Sequence, residues 1–218
     1  RAVSGTIVAR HVASYRAARR RHVVVNPGAL QPGARWRAYH HARDISWIRG
    51  TDLGSGEPVL LPHMRVNLNW SHGHPDVGLF LVTSAGLASG NVPTEALCHA
   101  IFEIVERDCE WRWDRMSPSA QRARRLDEGT VDAPVLRTLL DQFARAEVSV
   151  LMWDMTSSVG IPTFGCSIAE AGPLGGLGPF GGYGCHLSPE IALARALCAV
   201  RLGAGVVLVY TLFGGMFS

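Results

Sequence analysis

The chain has 218 residues, of which 47% are hydrophobic and 18% charged, and its formal net charge is +3. This composition is that of a globular protein with one sizeable core and excludes a disordered chain. All 21 basic residues are arginine. No lysine can therefore serve as phosphate ligand, nucleophile or Schiff base, and phosphate contacts would fall to arginine, backbone amides and metal.

The first 44 residues form a basic segment that we predict to be helical. It has no apolar stretch before a cleavage site, so we expect no signal peptide and a cytoplasmic protein. The run Arg19–Arg21 could contact nucleic acid, but a solvated basic face is the better interpretation, and we expect no nucleic-acid partner.

The cysteines show neither a CxxC motif nor tight metal-ligand spacing. An odd number without a signal peptide indicates reduced thiols. We expect them to be small buried hydrophobic residues rather than a redox or metal centre: Cys98, Cys109, Cys166, Cys185 and Cys198.

Turn residues and short apolar runs alternate in the next part of the chain. A strand is predicted near Val59–Leu61, and DVGLFLVTS (residues 76–84) has the apolar pattern of a buried strand. GLASGN follows as a glycine-rich turn. A long helix is expected after it, with Asn91 as N-cap and Pro93 in the first turn.

The second half mixes helices and strands without a regular βαβ repeat. Ala133–Ala146 has apolar residues at helical spacing, and strands are predicted at Val148–Trp153 and Ile161–Glu170. The following AGPLGGLGPFGGYGCH lacks GKS or GKT, so we interpret it as a mobile or close-packed loop rather than a phosphate loop. Ser188-Pro189-Glu190 then predicts a helix start. The predicted fold class is α+β.

The last residues, 203–218, are apolar but shorter than the roughly 20 residues of a membrane helix, and glycines interrupt them. We therefore expect no membrane partner. The chain divides into the basic segment 1–44, a core over 45–202 and this apolar tail.

The long helix carries acidic residues on one side. At about 100° per residue, one stripe within about 80° contains Glu95, His99, Glu103, Glu106 and Glu110. The opposite arc, expected to be buried, contains Leu97, Cys98, Ala100, Ile101, Ile104 and Val105. Like charges three residues apart repel mildly, so the stripe is either solvated or faces cations. Carboxylates in this arrangement suit Mg²⁺, especially Mg²⁺ shared with nucleotide phosphates.

Several segments together resemble one known family. SAGLASGNVPTEALCHAIFEIVERD is similar to the signature of the YcaO family, in which a GLASGN-type turn leads into a helix carrying E…E..ER. ISWIRGTDLGSGEPVLLP, VLMWDMTSSVGIPTFGCSIAE and YGCHLSPEIALARAL resemble further segments of that family. The resemblance covers roughly Ile45 to Leu197 and is closest to YcaO proteins that neighbour TfuA.

The resemblance implies an ATP-binding fold of mixed sheets flanked by helices, in an enzyme that activates peptide backbone amides. It implies ATP and Mg²⁺ as cofactors and a thioamide or an azoline in a ribosomally made peptide or protein as product. Glu95, Glu103 and Glu106 would hold Mg²⁺. Asn91, Arg107 and Arg195 would contact ATP, and no catalytic residue is assigned. His99 and Glu110 match no functional position of the family and are expected to be surface residues.

The chain also departs from the family. Ala85 stands where the family usually has Asn, and Ala199 stands where an acidic residue is expected after Arg195. The family's N-terminal metal-binding glutamates are not found, so we interpret the chain as incomplete at both ends. The alternative function is a catalytically degenerate YcaO-like module that binds a precursor peptide or partner protein. Expected partners are a peptide or protein substrate, a TfuA-like or sulfur-supplying protein, and a second copy in a homodimer.

Overall fold

The computed structural model describes residues 11–30, 39–68, 76, 78–80, 83–170 and 180–200. The chain forms two compact units, Arg1–Leu87 and Ala88–Ser218. The predicted apolar tail, 203–218, lies outside the described residues.

A four-stranded sheet forms the first unit. Its strands are β1 (His11–Ser14), β2 (Val23–Val24), β3 (Asp44–Thr51) and β4 (Pro58–Pro62), in the spatial order β1-β3-β4-β2. The β1–β3 and β3–β4 pairs are antiparallel, and β2 runs parallel to β4. A short helix, α1 (Tyr15–Ala18), follows β1 directly.

The core of this unit lies against β3 and β4. Its buried side chains are Ala18, Ile45, Trp47, Leu60, Met64, Leu79 and Phe80. The Trp47 indole N–H donates to the Ala13 carbonyl over 2.8 Å, which ties β1 to the core. Burying an indole is favourable when its N–H keeps a partner, as it does here.

Two predictions for this unit differ from the structure. Within 11–30 only α1 is α-helical, whereas β1 joins the sheet through β3, so the basic segment is mixed rather than helical. In the predicted strand 76–84, none of the described residues lies in a strand. Its apolar pattern reflects burial instead, since Leu79 and Phe80 are fully buried in a bend.

Three antiparallel strands and four helices form the described part of the second unit. The strands β5 (Val148–Asp154), β6 (Thr163–Glu170) and β7 (Phe180–Cys185) pair in sequence order. The helices are α2 (Pro93–Trp113), α3 (Pro118–Ala123), α4 (Pro134–Arg145) and α5 (residues 189–200). The predicted helix 133–146, both strands and the helix start at Ser188 are thereby confirmed.

The two faces of this sheet pack against different helices. The row Met152–Cys166–Gly182 belongs to the face that packs with α4 and α5, in a cluster that includes Leu140 and Leu197. The neighbouring row, Trp153–Gly165–Tyr183, belongs to the face that packs with α2. Helices α2 and α5 therefore lie on opposite sides of β7.

Part of the predicted glycine-rich loop is a strand. Residues 171–179 lie outside the described residues, but Phe180–Cys185 forms β7. A Cβ added to Gly182 would lie 2.5 Å from Ala196 O and Val200 N, both backbone atoms of α5. The glycines thus let a strand touch a helix backbone, which fits the close-packed interpretation and contradicts the loop.

The cysteines are all free thiols, but they divide by exposure. Cys109, Cys166 and Cys185 are buried, whereas Cys98 and Cys198 are exposed. The prediction of burial is therefore confirmed for three and wrong for two. Burial raises the pKa of Cys166 to about 12, so its reactive thiolate is scarce at neutral pH.

Thiol labelling should follow this division. With a maleimide at neutral pH, we expect Cys98 and Cys198 to react quickly in the native protein, and Cys109, Cys166 and Cys185 to react only after denaturation. Peptide mapping by mass spectrometry would locate the label. Rapid native labelling of Cys166 would contradict the burial that this packing gives it.

No α-helix among the described residues has both the length and the apolar character needed to cross a bilayer.

Candidate functional site

Helix α2 buries a different face from the one predicted. Its buried residues are Phe102, Val105 and Cys109, which pack with Met155 and Cys185. Of the arc expected to be buried, only Val105 is; the other five are exposed or partly exposed, including Ile104, which is 54% exposed. The buried face therefore borders the acidic stripe, and part of that stripe is turned toward the protein.

The N-terminus of α2 is organised by Glu95. The N-cap is Val92, without a side-chain cap, so the prediction of Asn91 as N-cap is wrong. Instead Asn91 N–H donates to Glu95 Oε2 over 2.7 Å, and Asn91 Nδ2 approaches Glu95 Oε1 at 3.4 Å. A Cβ on Gly90 would lie 2.5 Å from Ala96 N, so the GLASGN turn must be glycine where it meets the helix.

Two carboxylates further along α2 are only partly exposed. Glu103 and Glu106 lie one helical turn apart, about 4.5 Å along the axis. Burial raises the pKa of Glu106, and the neighbouring Glu110 and Glu103 raise it further, against the opposing effect of Arg107 and Arg195. The charged form of Glu106 is thus disfavoured in the metal-free protein.

Arg107 is already engaged within its own helix. Its Nη1 donates to Glu110 Oε2 over 2.9 Å in an i,i+3 ion pair. The hydrogen bond to Glu110 raises the pKa of Arg107 by more than burial lowers it, so the net shift is upward. The guanidinium is charged with or without this shift. Glu110, expected to be a surface residue without a functional role, therefore orients Arg107, a predicted ATP contact.

Arg195 comes from α5 and reaches α2 past the end of β7. Its Nη1 donates to the Cys185 carbonyl over 3.1 Å, and its Nη2 lies 2.5 Å from His99 Nε2. No ion pair within 4.0 Å joins Arg195 to Glu106 in the part of the chain that the structure describes. Even so, Arg195 is near enough to act on the pKa of Glu106.

The structure brings some predicted site residues together and separates others. Glu103, Glu106 and Arg107 lie within about 6 Å along the axis of α2, and Arg195 acts on Glu106 from α5, whereas Glu95 lies about 12 Å from Glu103 along the same axis. Glu95 thus lies about two helical turns from Glu103, and its carboxylate accepts the Asn91 N–H. Among the described residues, no three His, Cys, Asp or Glu side chains form a group that could hold a metal ion alone.

The donor set still suits Mg²⁺ held jointly with phosphate. Mg²⁺ in nucleotide sites is usually bound by one or two carboxylates together with phosphate oxygens and water. Glu103 and Glu106 supply such a pair, and a divalent cation would relieve the unfavourable charge that raises the pKa of Glu106. These residues thus fit part of a nucleotide-bound Mg²⁺ site.

The sequence alone did not identify the contacts of Glu110 and His99 in this cluster. The i,i+3 spacing of Arg107 and Glu110 is a signal that could have identified their pairing. No local signal links His99 with Arg195, because 96 positions separate them and only the packing of α2, β7 and α5 brings them together.

Comparison with known proteins gives this cluster a context. A family model described as YcaO cyclodehydratase, ATP- and Mg²⁺-binding, matches residues 4–202. The chain is 35% identical over 162 residues to an uncharacterized protein in the tfuA 3′ region of Rhizobium leguminosarum bv. trifolii, covering 72% of this chain and 38% of that protein. It is 31% identical over 158 residues to an uncharacterized protein of Methanothermobacter thermautotrophicus, covering 72% of this chain and 40% of that one.

Solved structures share the fold. A heterocyclase in complex with substrate and cofactor superimposes with a TM-score of 0.71 at 21% identity, over 88% of this chain and 27% of that chain. YcaO from Methanopyrus kandleri, bound with AMPPCP and Mg²⁺, gives a TM-score of 0.61 at 23% identity, over 83% of this chain and 43% of that chain. The predicted fold class is confirmed.

The chain spans about two fifths of the length of these curated relatives. ATP and Mg²⁺, predicted as cofactors, agree with the description of the matching family. Because the family model matches most of the chain and the fold is that of solved YcaO proteins, the protein belongs to the YcaO family.

Proposed function

We propose that the protein uses ATP and Mg²⁺ to activate a backbone amide in a ribosomally made peptide or protein. The amide oxygen takes the γ-phosphoryl group of ATP, ADP leaves, and the amide proton is lost. A nucleophile then adds to the amide carbon, and phosphate leaves. A Cys, Ser or Thr side chain as nucleophile yields an azoline, whereas sulfide yields a thioamide.

The observation that most supports this function is the meeting of two carboxylates and an arginine from separate helices. Glu106 on α2, one turn after Glu103, lies near enough to Arg195 on α5 for the arginine to act on its pKa, and Arg195 itself is held at the end of β7 by the Cys185 carbonyl. Phosphoryl transfer needs positioning and charge neutralisation more than covalent chemistry from the protein. Acidic metal ligands beside a cation are the groups that this task requires.

Each residue has a distinct part in this proposal. Glu103 and Glu106 would hold Mg²⁺, which when bound neutralises charge on the phosphates. Arg195 would donate to a phosphate oxygen through N–H groups that do not contact the Cys185 carbonyl or His99. Arg107, oriented by Glu110, would make a second ATP contact, and Asn91 with Glu95 would act at the N-terminal end of α2.

The product we favour is a thioamide formed with a TfuA-like or sulfur-supplying partner. The support is the 35% identical relative in the tfuA 3′ region. Three of the five cysteines, Cys109, Cys166 and Cys185, are buried and poorly suited to carry sulfur, which favours a separate sulfur donor. Mass spectrometry of the modified peptide would separate exchange of oxygen for sulfur from loss of water, the azoline outcome.

A second candidate is a YcaO-like module that binds a precursor peptide or partner protein without catalysis. Ala199 favours it, because α5 carries alanine where the family resemblance leads us to expect an acidic residue. The two candidates differ in their need for ATP. A binding module should capture its peptide without nucleotide, so strict ATP dependence of peptide capture would count against it.

Glu103→Gln tests the proposed enzyme. In the complete gene product we expect this change to weaken Mg²⁺-dependent ATP binding by roughly 10–100-fold, because it removes a charged metal ligand and keeps the volume of the side chain. Isothermal titration calorimetry with and without Mg²⁺ would measure it.

Asp108→Asn is the matched control for that change. Asp108 is an acidic residue of the same helix that pairs with Arg112 over 2.7 Å, away from Glu103 and Glu106. It should leave ATP affinity within about twofold, as surface substitutions usually do. Equal binding by wild type and Glu103→Gln would exclude the assigned role of the acidic stripe.

A further inference from the structure

The guanidinium of Arg195 is held at two points. Nη1 donates to the Cys185 carbonyl at the end of β7, and Nη2 contacts His99 Nε2 on α2. Both partners lie in the second unit. Cys185 ends β7 and His99 belongs to α2, so Arg195 connects these two elements. A long side chain fixed at both terminal nitrogens loses the freedom to swing away from Glu106.

The chemistry of the two residues determines how the contact is made. Arginine is always protonated and has only donors, so His99 Nε2 must accept. His99 is then the neutral tautomer with its hydrogen on Nδ1. Arginine has five N–H hydrogens in a planar fork, and the two contacts use two of them. The other three can meet an anion in a plane that His99 and the Cys185 carbonyl define.

We propose that His99 is a positioning residue that sets the orientation of Arg195 for a nucleotide phosphate. The inference rests on the proposed function, which makes Arg195 an ATP contact. His99 itself is exposed, so it contributes little to the core, and among the described residues its hydrogen bond to another element is the bond to Arg195. Its effect on ATP is therefore expected to pass through that guanidinium.

The test compares two substitutions in the complete gene product. His99→Leu removes the acceptor at similar size, whereas His99→Gln keeps an oxygen acceptor. We expect His99→Leu to weaken affinity for Mg²⁺-AMPPCP by roughly 3–10-fold, the range for one hydrogen bond to a charged group partly replaced by water, and His99→Gln to stay within about twofold. Melting temperatures should change little in either variant.

A double-mutant cycle makes the role specific. In an Arg195→Ala background, His99→Leu should cause no further loss of affinity, because nothing remains for His99 to orient. A loss that persists in that background, or an unchanged affinity in His99→Leu alone, overturns the inference. If the wild type binds Mg²⁺-AMPPCP while His99→Leu has no effect, only this inference fails. If the wild type does not bind the nucleotide, the proposed function fails with it.

Discussion

Replacing Glu106 with glutamine is expected to raise the melting temperature of the metal-free protein while strongly weakening its Mg²⁺-dependent affinity for ATP. Glu106 is half-buried beside Glu103 and Glu110, and burial is the main cause of its raised pKa. Its charge therefore destabilises the fold until a cation is bound. Glutamine keeps the shape of the side chain and removes that charge.

The gain in stability should be small and the loss of binding large. Like-charge repulsion on a helix amounts to a few tenths of a kcal/mol and partial burial adds to it, so we expect a rise of about 1–3 °C in a domain of this size. Removing a charged ligand should weaken Mg²⁺-dependent ATP binding by roughly 10–100-fold. The opposite signs of the two effects distinguish a metal ligand from a packing residue.

The pH dependence of stability gives a second readout. In the folded protein the pKa of Glu106 lies above its ordinary value of 4.5, so the folded state holds this proton more tightly than the unfolded state. The corresponding stability is fully present below the ordinary pKa and is lost as the pH rises through the raised one. Metal-free wild type should therefore lose stability across that weakly acidic window, and Glu106→Gln should lose less.

Differential scanning fluorimetry without metal, at several pH values, and calorimetry with Mg²⁺-ATP measure both effects. Asp108→Asn is again the control, because Asp108 pairs with Arg112 and should give no gain in stability. A Glu106→Gln variant that melts lower than wild type, or that binds Mg²⁺-ATP as tightly, would show that Glu106 is a structural residue.

Local patterns predicted several elements of the second unit but not the orientation of α2. The helix 133–146 and the strands β5 and β6 follow from apolar spacing, which is a property of short segments. The prediction for α2 placed the buried face opposite the acidic stripe, because acidic side chains usually face water. Packing against Met155 and Cys185 instead buries the side that includes Phe102, so the acidic stripe borders the core.

The same distinction applies to the site. The spacing of Glu103 and Glu106 fixes their proximity, because both lie on one helix. The position of Arg195 beside His99 depends on β7, which was mistaken for a loop because its glycines resemble turn residues. Those glycines mark close contact with α5, information that only the neighbouring helix supplies.

Gly184→Ala is expected to destabilise the protein strongly. A Cβ at this position would overlap Ala192 O and lie 2.6 Å from Ala196 N and 2.8 Å from Arg195 Cβ. Two of these are backbone atoms of α5, so strand and helix must separate rather than a side chain rotate away. Overpacking of this kind costs about 3 kcal/mol, which corresponds to a fall in melting temperature of about 6–12 °C.

Gly181→Ala, on the same strand, provides the matched control and should have the opposite sign. Gly181 is exposed, and the nearest atoms to an added Cβ, Cys166 O and Tyr183 Oη, lie 3.9 Å away. Alanine there is expected to stabilise by about 0.4–1 kcal/mol, because it restricts the unfolded chain. Thermal melts compare the pair. If the two variants had the same melting temperature, β7 and α5 could not be in close contact at Arg195. The position that we assign to that arginine would then be wrong.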